Sequence, residues 1–558
     1  MTPRLLAAAR TATLIAVLCF SPANAVGQAL SSEMRANIDK IFAAFDKSGS
    51  PGCAMAVYRN GAIAYTRGYG EASLEHGVSI TSRTVFDIGS TSKQFTAFSI
   101  LLLERDGKLS LDDDVRKHVP ELQPTARTVT IRHLMLHTSG LRDYLTLWSL
   151  AGMKTENWTT QRDAVRLVAR QKQPNFPAGE EWLYSNTGYL LLGEIVARVS
   201  GRSLAEFAAE RIFQPLGMDH TFYLDDHTRV VPGKAEGYGP RRGGGFSVEM
   251  SDFEQTGDGA VQTSVEDLLL WDRNFYWPKV GDSALLEKAQ TVGVLNNGKK
   301  LDYGAGLRIG TYRGLPTVRH GGSWAGYRAE LLRFPQSQTS IACLCNLGTA
   351  NPSALADRVA DVVFADLLQP RSSQAAAAAQ PEVKVPVEQL AALAGIYEPV
   401  KSGAFRRFVL KDGVLRMGMG EGQPLKAVAA DRFVPTAPGI EVYFPPAARG
   451  TARELQIIRE GAEPERYRLL PPPGPQKLED FAGRYYSEEL DATWTFAAES
   501  GRLTSRVLND PPLGYLHIKA DSFLADNGMV VRFERESGKI QRASVQAGRV
   551  TNLVFERR

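Results

Sequence analysis

The sequence predicts an α/β sandwich with an all-α lobe, followed by two small antiparallel β-barrels. The first observation is the order of patterns: a strand hairpin comes first, helical periodicity fills the middle, and strand-like runs return before residue 368. The second is a linker-like segment over 369–387 with five consecutive alanines and three prolines. The third is a repeat of short alternating strands beyond that segment.

Residues 1–25 have the pattern of an export signal peptide. They contain two arginines and an apolar stretch, and they end at Ala23-Asn24-Ala25, a small-x-small cleavage site. We therefore expect an exported protein, periplasmic or secreted. No later run reaches about 18 apolar residues, so no stable membrane insertion is expected after the signal is cleaved.

The composition is that of a globular protein. The 558 residues are enough for several domains, and the apolar and charged fractions are 43% and 23%. The formal net charge of +4 becomes +2 when Arg4 and Arg10 leave with the signal (4 − 2 = +2). Such a small charge predicts no nucleic-acid partner. The sequence leaves the oligomeric state open.

Cys53, Cys343 and Cys345 remain after the signal is removed. Because their number is odd, at least one thiol stays unpaired within a monomer. Cys343 and Cys345 lie two residues apart in an apolar strand-like run, so we interpret both as small buried residues on one side of a strand. A bridge from Cys53 to either of them is the alternative.

Residues 28–368 are predicted to form the first domain. A helix over 31–45 precedes a hairpin whose turn is Asn60-Gly61, a dipeptide that favours two-residue hairpin loops. From 115 to 226 the pattern is mainly helical, which predicts the all-α lobe. The remaining elements are expected to be strands over 53–58, 62–65, 307–311, 317–319, 327–334 and 339–345 and a last helix over 354–368.

The last two domains, residues 388–470 and 476–558, are related by an internal repeat. Leu390-x-x-Leu393-Ala394-Gly395-x-Tyr397 recurs as Leu478-x-x-Phe481-Ala482-Gly483-x-Tyr485, at an offset of 478 − 390 = 88 residues. Small barrels suit such alternating strands because closure removes exposed strand edges. The linker composition predicts few contacts between these barrels and the first domain.

Ser90 and Lys93 lie at the head of a strongly apolar run that ends at Asp106-Gly107. This run predicts a helix that begins near Ser90. At i and i+3 the hydroxyl and the amine share one face, so Lys93 can accept the proton of Ser90. The free N–H groups of the first turn suit an acyl oxyanion. Ser90 is the predicted nucleophile, and a helix N-cap is the alternative role for this serine.

Two further motifs are predicted to lie in loops of the same domain. Tyr184-Ser185-Asn186 precedes an apolar helix of the all-α lobe. His320-Gly321-Gly322-Ser323 follows one predicted strand and precedes the next, where two glycines let a ligand approach the backbone. His133 and His137 have metal-ligand spacing without a third ligand, so neither a metal site nor a cofactor is predicted.

The ordered trio Ser-x-x-Lys, Tyr-Ser-Asn and His-Gly-Gly resembles the serine β-lactamase and penicillin-binding protein superfamily, in the branch that contains the class C β-lactamases. The resemblance covers roughly residues 30–368 and implies a β-lactamase-like fold. The two following lipocalin-like barrels make the expected architecture similar to that of three-domain D-aminopeptidases.

The resemblance also implies roles for particular residues. Ser90 would be acylated, Lys93 would accept its proton, and Tyr184 would pass a proton to the leaving group. Whether Lys93 or Tyr184 is the general base stays open. The residues implied in substrate binding and in the oxyanion hole are Asn186, His320, Gly322 and Ser323.

The resulting expectation is an exported serine hydrolase of the D-aminopeptidase type that acts on a small peptide or amide. An esterase on the same scaffold and a β-lactam or peptidoglycan sensor that acylates without turnover are the alternatives. In the family, the position of His320 is usually a lysine that meets a substrate carboxylate. His320 is expected to be mostly neutral at pH 7, which predicts weak β-lactamase activity.

Overall fold

The computed structural model describes most of the chain, over residues 29–370, 381–401, 403–435, 439–446, 452–459 and 463–558. The signal peptide predicted over 1–25 and much of the linker predicted over 369–387 lie outside these residues. The described chain contains a helix-covered sheet, a helical lobe and two closed antiparallel barrels, so the predicted fold class is confirmed. Among its helices, none combines the length and apolar character that a membrane crossing requires.

The first domain contains the predicted helices with shifted ends, together with helices that the sequence patterns did not locate, such as those over Val265–Asn274 and Ser283–Gln290. They are α1 Ser32–Phe42, α2 Lys93–Arg105, α3 Ile131–Met135, α4 Tyr144–Leu150, α5 Gln161–Ala169, α6 Asn186–Ser200, α7 Leu204–Ala208, α8 Gln214–Leu216, α9 Val265–Asn274, α10 Ser283–Gln290 and α11 Pro352–Val363. As predicted, α2 is buried along nearly all of its length and is followed by Gly107 with a positive φ of 69°.

The strands of this domain build one large sheet and three small ones. They are β1 Cys53–Arg59, β2 Ala62–Tyr69, β3 Glu71–Ser73, β4 Val78–Ser79, β5 Phe86–Asp87, β6 Phe222–Tyr223, β7 Tyr238–Pro240, β8 Phe246–Val248, β9 Val261–Thr263, β10 Arg308–Tyr312, β11 Leu315–Trp324, β12 Tyr327–Phe334 and β13 Thr339–Cys345. The large sheet is antiparallel in the order β10-β11-β12-β13-β1-β2.

The large sheet separates two hydrophobic cores. Along β1, Ala54 and Ala56 belong to the core that contains α2 and α6, whereas Met55 and Val57 belong to the core under α1 and α11. Successive side chains of a strand point to opposite faces, so β1 supplies both cores. The predicted hairpin turn at Asn60-Gly61 joins β1 to β2, and both of its residues have positive φ, 51° and 73°.

Two of the three cysteines in the first domain are paired. Cys53 and Cys345 form a disulfide, so the prediction that Cys345 is simply a small buried residue is wrong. The reason is long-range pairing: β1 and β13 are neighbours, and their register sets Cys53 opposite Cys345 with Cα atoms 4.0 Å apart. Cys343 is a free, buried thiol, as predicted.

The C-terminal repeat forms two closed eight-stranded barrels. A short helix, α12 Val387–Ala391, precedes the first barrel. The first barrel contains β14 Gly395–Pro399, β15 Arg406–Lys411, β16 Val414–Met417, β17 Gln423–Ala429, β18 Arg432–Pro435, β19 Ile440–Tyr443, β20 Glu454–Arg459 and β21 Glu465–Leu469. The second contains β22 Gly483–Ser487, β23 Ala492–Glu499, β24 Arg502–Val507, β25 Leu513–Lys519, β26 Ser522–Ala525, β27 Val530–Glu536, β28 Lys539–Ala547 and β29 Val550–Arg557.

The repeated tyrosines make equivalent contacts. Tyr397 donates a hydrogen bond to the Leu393 carbonyl, and Tyr485 donates one to the Phe481 carbonyl, both at 3.0 Å. Both rings are buried in their barrels. Each tyrosine thus links the first strand of its barrel to the residues that precede that strand.

The second barrel packs tightly on the first domain, contrary to the prediction of few contacts. Trp494 donates a hydrogen bond to the Leu150 carbonyl at 2.8 Å, and the buried Arg142 and Glu489 form an ion pair at 2.7 Å. The hydrophobic core around α2 continues without a break into this barrel, whereas the first barrel has a core of its own. Composition of the linker alone therefore does not determine the interface.

Candidate active site

Ser90 lies in a tight turn immediately before α2. The segment Gly89–Ser92 is a 3₁₀ turn, and the carboxylate of Asp87 accepts a hydrogen bond from Gly89 N at 2.7 Å. Gly89 has a positive φ of 47°, a conformation that glycine adopts at little cost. This turn exposes part of Ser90 at the head of a helix whose next residues are buried.

Lys93 is fully buried and contacts Ser90 directly. Its Nζ donates hydrogen bonds to Ser90 Oγ at 3.1 Å, Asn186 Oδ1 at 2.9 Å and the Asp258 carbonyl at 2.6 Å. Three oxygens therefore surround this nitrogen, and one of them is the Ser90 hydroxyl. The structure thus brings Asn186, which is distant in sequence, to the neighbouring residues Ser90 and Lys93.

Tyr184 lies beside this group. The centroid of its ring is 5.0 Å from Lys93 Nζ and 6.3 Å from the centroid of the His320 ring. Tyr184 occupies a loop, as predicted, whereas Asn186 is already the first residue of α6. The motif therefore spans a loop and the start of a helix.

His137 and Asp143 hold the Tyr184 loop. The imidazole of His137 packs against the Tyr184 ring with centroids 4.2 Å apart, and its Nδ1 accepts a hydrogen bond from Ser185 N at 3.2 Å. Burial, with Lys93 nearby, lowers the pKa of His137 well below its usual value, so the ring is neutral. Asp143 Oδ2 accepts a hydrogen bond from Asn186 N at 2.7 Å.

The His320-Gly321-Gly322-Ser323 motif lies inside β11 and not between two strands as predicted. Cross-strand partners on β12 extend the strand past both glycines to Trp324. A Cβ at Gly322 would lie 1.8 Å from the Ile88 carbonyl oxygen, so only glycine permits this approach of β11 to the turn before Ser90. A Cβ at Gly89 would likewise lie only 2.7 Å from Ser323 N.

His320 is buried and neutral. Its Nδ1 donates to the Gly321 carbonyl at 2.7 Å, and its Nε2 accepts from the Tyr303 hydroxyl at 2.8 Å. Burial, with Lys93 as the second cause, lowers the pKa of His320 to about 3. This position therefore supplies no cation to a substrate at pH 7.

Asp258 is a buried carboxyl group next to the predicted catalytic residues. Its carbonyl holds Lys93, and its carboxyl oxygens accept hydrogen bonds from the Tyr144 hydroxyl at 3.1 and 3.2 Å. Burial raises the pKa of Asp258 to about 6, although Lys93 acts in the opposite direction. Sequence analysis did not single out this residue.

The second barrel reaches the site through the turn between β28 and β29. The guanidinium carbon of Arg549 lies 4.8 Å from the centroid of the Tyr184 ring, and its Nη1 is 3.5 Å from Asp143 Oδ2. The Arg549 carbonyl accepts hydrogen bonds from Asn175 Nδ2 at 2.9 Å and Asp143 N at 3.4 Å. Sequence analysis missed Arg549 because no local pattern marks it.

A cleft opens beside Ser90. Its polar wall includes Asn186, Asp258 and Ser323. Its apolar wall is formed by Leu145, Leu224, Met250, Phe253 and Trp324. The site therefore joins a serine, a lysine and a tyrosine to a pocket with room for an acyl group.

The described residues include two groups with metal-ligand atoms within 4.8 Å of one another. The first consists of Cys53, Cys343 and Cys345, of which two are linked in the disulfide. The second consists of Asp226, His227 and Glu254, where His227 already bonds Glu254 at 2.7 Å. Neither group supports a metal role in the cleft beside Ser90.

Comparisons with known proteins agree on one family. The family model described as Beta-lactamase matches residues 38–365. A D-aminopeptidase of Gluconobacter oxydans (strain 621H) is 26% identical over 547 residues, which are 95% of this chain and 100% of that protein. Penicillin-binding protein 4* of Bacillus subtilis (strain 168) is 32% identical over 51% of this chain and 66% of its own length.

A solved structure supports the fold. The octameric penicillin-binding protein homologue from Pyrococcus abyssi superposes with a TM-score of 0.56 at 24% sequence identity, over 78% of this chain and 99% of its own. The Gluconobacter match extends through both barrels, and the family match lies within the first domain.

Proposed function

Because the chain belongs to the β-lactamase family of serine hydrolases, we propose that it is a D-aminopeptidase-like peptidase or amidase that acts through an acyl-enzyme on Ser90. The observation that carries this proposal is the contact of Lys93 Nζ with Ser90 Oγ at 3.1 Å. The D-aminopeptidase similarity along 95% of the chain favours amide substrates.

In this mechanism the Ser90 hydroxyl oxygen attacks the amide carbonyl carbon while its proton passes to the pair Lys93 and Tyr184. The backbone N–H groups of Ser90 and Ser323 stabilise the oxyanion that forms. The C–N bond then breaks, and the nitrogen takes a proton from Tyr184 and leaves as the amine. Water attacks the acyl ester, releases the acid and restores the Ser90 hydroxyl.

Substrates that depend on a cation at position 320 should be poor ones. His320 is neutral and already paired with Tyr303, so it offers no charge to the carboxylate of a β-lactam. A hydrogen bond to a charged group is worth about 1.5–3 kcal/mol, which corresponds to a loss of roughly 10–100-fold in binding. Efficient hydrolysis of penicillins by the wild-type protein would contradict this reasoning.

We also propose that the protein is exported. The signal-like pattern of residues 1–25 supports this, and so does the disulfide between Cys53 and Cys345, since disulfides persist mainly in oxidising compartments. Processing of the precursor at Ala25, measured by N-terminal sequencing of protein from the extracytoplasmic fraction, tests the proposal.

The central experiment compares a Ser90→Ala variant with the wild type on D-alanine p-nitroanilide, p-nitrophenyl acetate and the chromogenic cephalosporin nitrocefin. We expect kcat on the anilide to fall by roughly 10⁴ or more. Ser99→Ala is the matched control, because Ser99 lies on the same helix and its hydroxyl donates a hydrogen bond to the Phe95 carbonyl of that helix at 2.9 Å.

The substrate panel also separates the alternatives. Ester cleavage without anilide cleavage would favour an esterase on this scaffold. One equivalent of stable acylation followed by no turnover would favour a sensor. Near-normal anilide turnover by Ser90→Ala would refute the proposed mechanism.

A further inference from the structure

A lysine from another part of the chain lines the cleft beside Ser90. Lys234 lies in the segment between β6 and β7 and forms a parallel bridge with Val85. Two backbone hydrogen bonds form this bridge: Val85 N donates to the Gly233 carbonyl, and Ala235 N donates to the Val85 carbonyl, each at 2.9 Å. The position of Lys234 is therefore fixed by backbone pairing.

The pairing also determines the direction of the Lys234 side chain. Register partners on adjacent strands point to the same face, as do residues two apart on one strand. Lys234 is the partner of Val85, and Asp87 follows Val85 by two residues. Lys234 and Asp87 consequently line the same cleft, together with Ser90.

Among the described residues, none accepts a hydrogen bond from the Lys234 ammonium or forms an ion pair with it, although the Asp87 carboxylate is near enough for its charge to act on this group. Asp87, which raises the pKa of Lys234 through its charge, already accepts hydrogen bonds from Gly89 N at 2.7 Å and Gln262 Nε2 at 2.8 Å. Lys93 differs, because its Nζ has three acceptors.

The Lys234 side chain is half-buried, and partial burial of an ammonium group without a hydrogen-bond acceptor is unfavourable. Burial lowers the pKa of Lys234, as expected for such a group, although Asp87 opposes the shift. A ligand oxygen placed in the cleft would supply the missing acceptor. The cavity volume is about 70 Å³, whereas one water needs about 10–15 Å³, so a group of a few heavy atoms fits.

We propose that this part of the cleft is an acyl-side subsite in which Lys234 selects substrates whose acyl group carries an oxygen acceptor, a carboxylate above all. The inference rests on the proposed function. Tyr184, which protonates the leaving group in the proposed reaction, does not line this cleft, whereas Ser90 and Ser323 do. The predicted substrate class is amides of short D-amino acids with acidic or carboxamide side chains.

The test compares p-nitroanilides of D-aspartate, D-asparagine and D-leucine, whose side chains are similar in size. The wild type is expected to show the highest kcat/KM with D-aspartate, an intermediate value with D-asparagine and the lowest with D-leucine. In Lys234→Met the ratio of D-aspartate to D-leucine should fall at least tenfold. Lys108→Met is the matched control, since Lys108 is exposed beyond the far end of α2.

A binding measurement separates this inference from the proposed function. In the Ser90→Ala variant, titration calorimetry should show that free D-aspartate binds more tightly than free D-leucine. The double variant Ser90→Ala, Lys234→Met should lose this preference. A binding preference for D-aspartate in this background, combined with no cleavage of the anilides by the wild type, would support the subsite and refute the amidase.

If Lys234→Met does not fold, Lys234→Gln serves in its place. A ratio of D-aspartate to D-leucine that is unchanged by either variant, in kinetics and in binding, would overturn the subsite.

Discussion

Glu489→Gln tests whether the second barrel is an integral part of the catalytic unit. The carboxylate of Glu489 accepts hydrogen bonds from Arg142 Nη1 and from Lys172 N, both at 2.7 Å. The Arg142 side chain is only 1% exposed and that of Glu489 8%. Arg142 also donates to the carbonyls of Thr551, at 3.0 Å, and Asn552, at 2.8 Å.

Removing one charge of a buried pair leaves the other charge uncompensated, which costs about 3–5 kcal/mol. Glutamine keeps the shape of the side chain and one acceptor oxygen, so we expect a loss at the lower end of this range. The free energy of unfolding should fall by about 3 kcal/mol. Since Arg142 holds the residues that follow Arg549, kcat/KM should also fall in this variant.

The neighbouring residue provides the control. Glu488 pairs with Lys172 at 2.6 Å across the same interface, but their side chains are 74% and 60% exposed. An exposed pair contributes little to stability, so Glu488→Gln should leave the urea midpoint unchanged. Urea denaturation monitored by circular dichroism measures both variants. Equal midpoints for the two variants would refute the reasoning.

Three further changes have defined outcomes. Arg549→Met should lower kcat/KM roughly fivefold, because a cation over an aromatic ring contributes about 1 kcal/mol. Arg558→Met is the control: it removes a cation 3.5 Å from the centroid of the Tyr486 ring and should leave kcat/KM unchanged. Burial raises the pKa of Asp258 to about 6, against about 3.9 when unfolded, so the stability it supplies is complete below about pH 4 and is lost as the pH rises through about 6. The free energy of unfolding of the wild type, measured by urea denaturation, should therefore fall by about 3 kcal/mol across this pH window, whereas that of Asp258→Asn should not. Identical pH dependence of the two proteins would contradict the raised pKa of Asp258. The urea midpoint of Cys345→Ala should lose its response to reductant, whereas that of Cys343→Ala should keep it; loss of the response in Cys343→Ala but not in Cys345→Ala would exclude this pairing.

Local patterns predicted the elements that depend on local chemistry. The burial of α2, the Asn60-Gly61 turn and the repeat around Tyr397 and Tyr485 each follow from a short stretch of sequence, and the structure confirms them. The contact between Lys93 and Ser90 follows from a spacing of three residues.

Long-range pairing explains what the sequence did not predict. Two adjacent glycines after His320 suggest the end of a strand, but β12 pairs with β11 across both of them. Tyr184 lies in the first domain and Arg549 in the second barrel, so only barrel packing brings the two side chains together. Lys234 likewise depends on a bridge to Val85 that no periodicity reveals.

The disulfide has a consequence for the order in which the chain matures. Its cysteines are separated by 292 residues, although their strands are neighbours in the sheet. At a synthesis rate of about 5–20 residues per second, β1 waits roughly 15–60 s for β13. During that interval the thiol of Cys53 has no native partner.

When β13 is made, two thiols become available together, because Cys343 faces the same side of the strand as Cys345, with sulfur atoms 3.8 Å apart. Only the register of β1 against β13 distinguishes them, since it pairs Met55 with Cys343. A slip of two residues would join Cys53 to the wrong sulfur and would trap the sheet out of register. Correct oxidation therefore requires that strand pairing precede sulfur chemistry, and an isomerase that reopens wrong bonds would raise the yield of native protein.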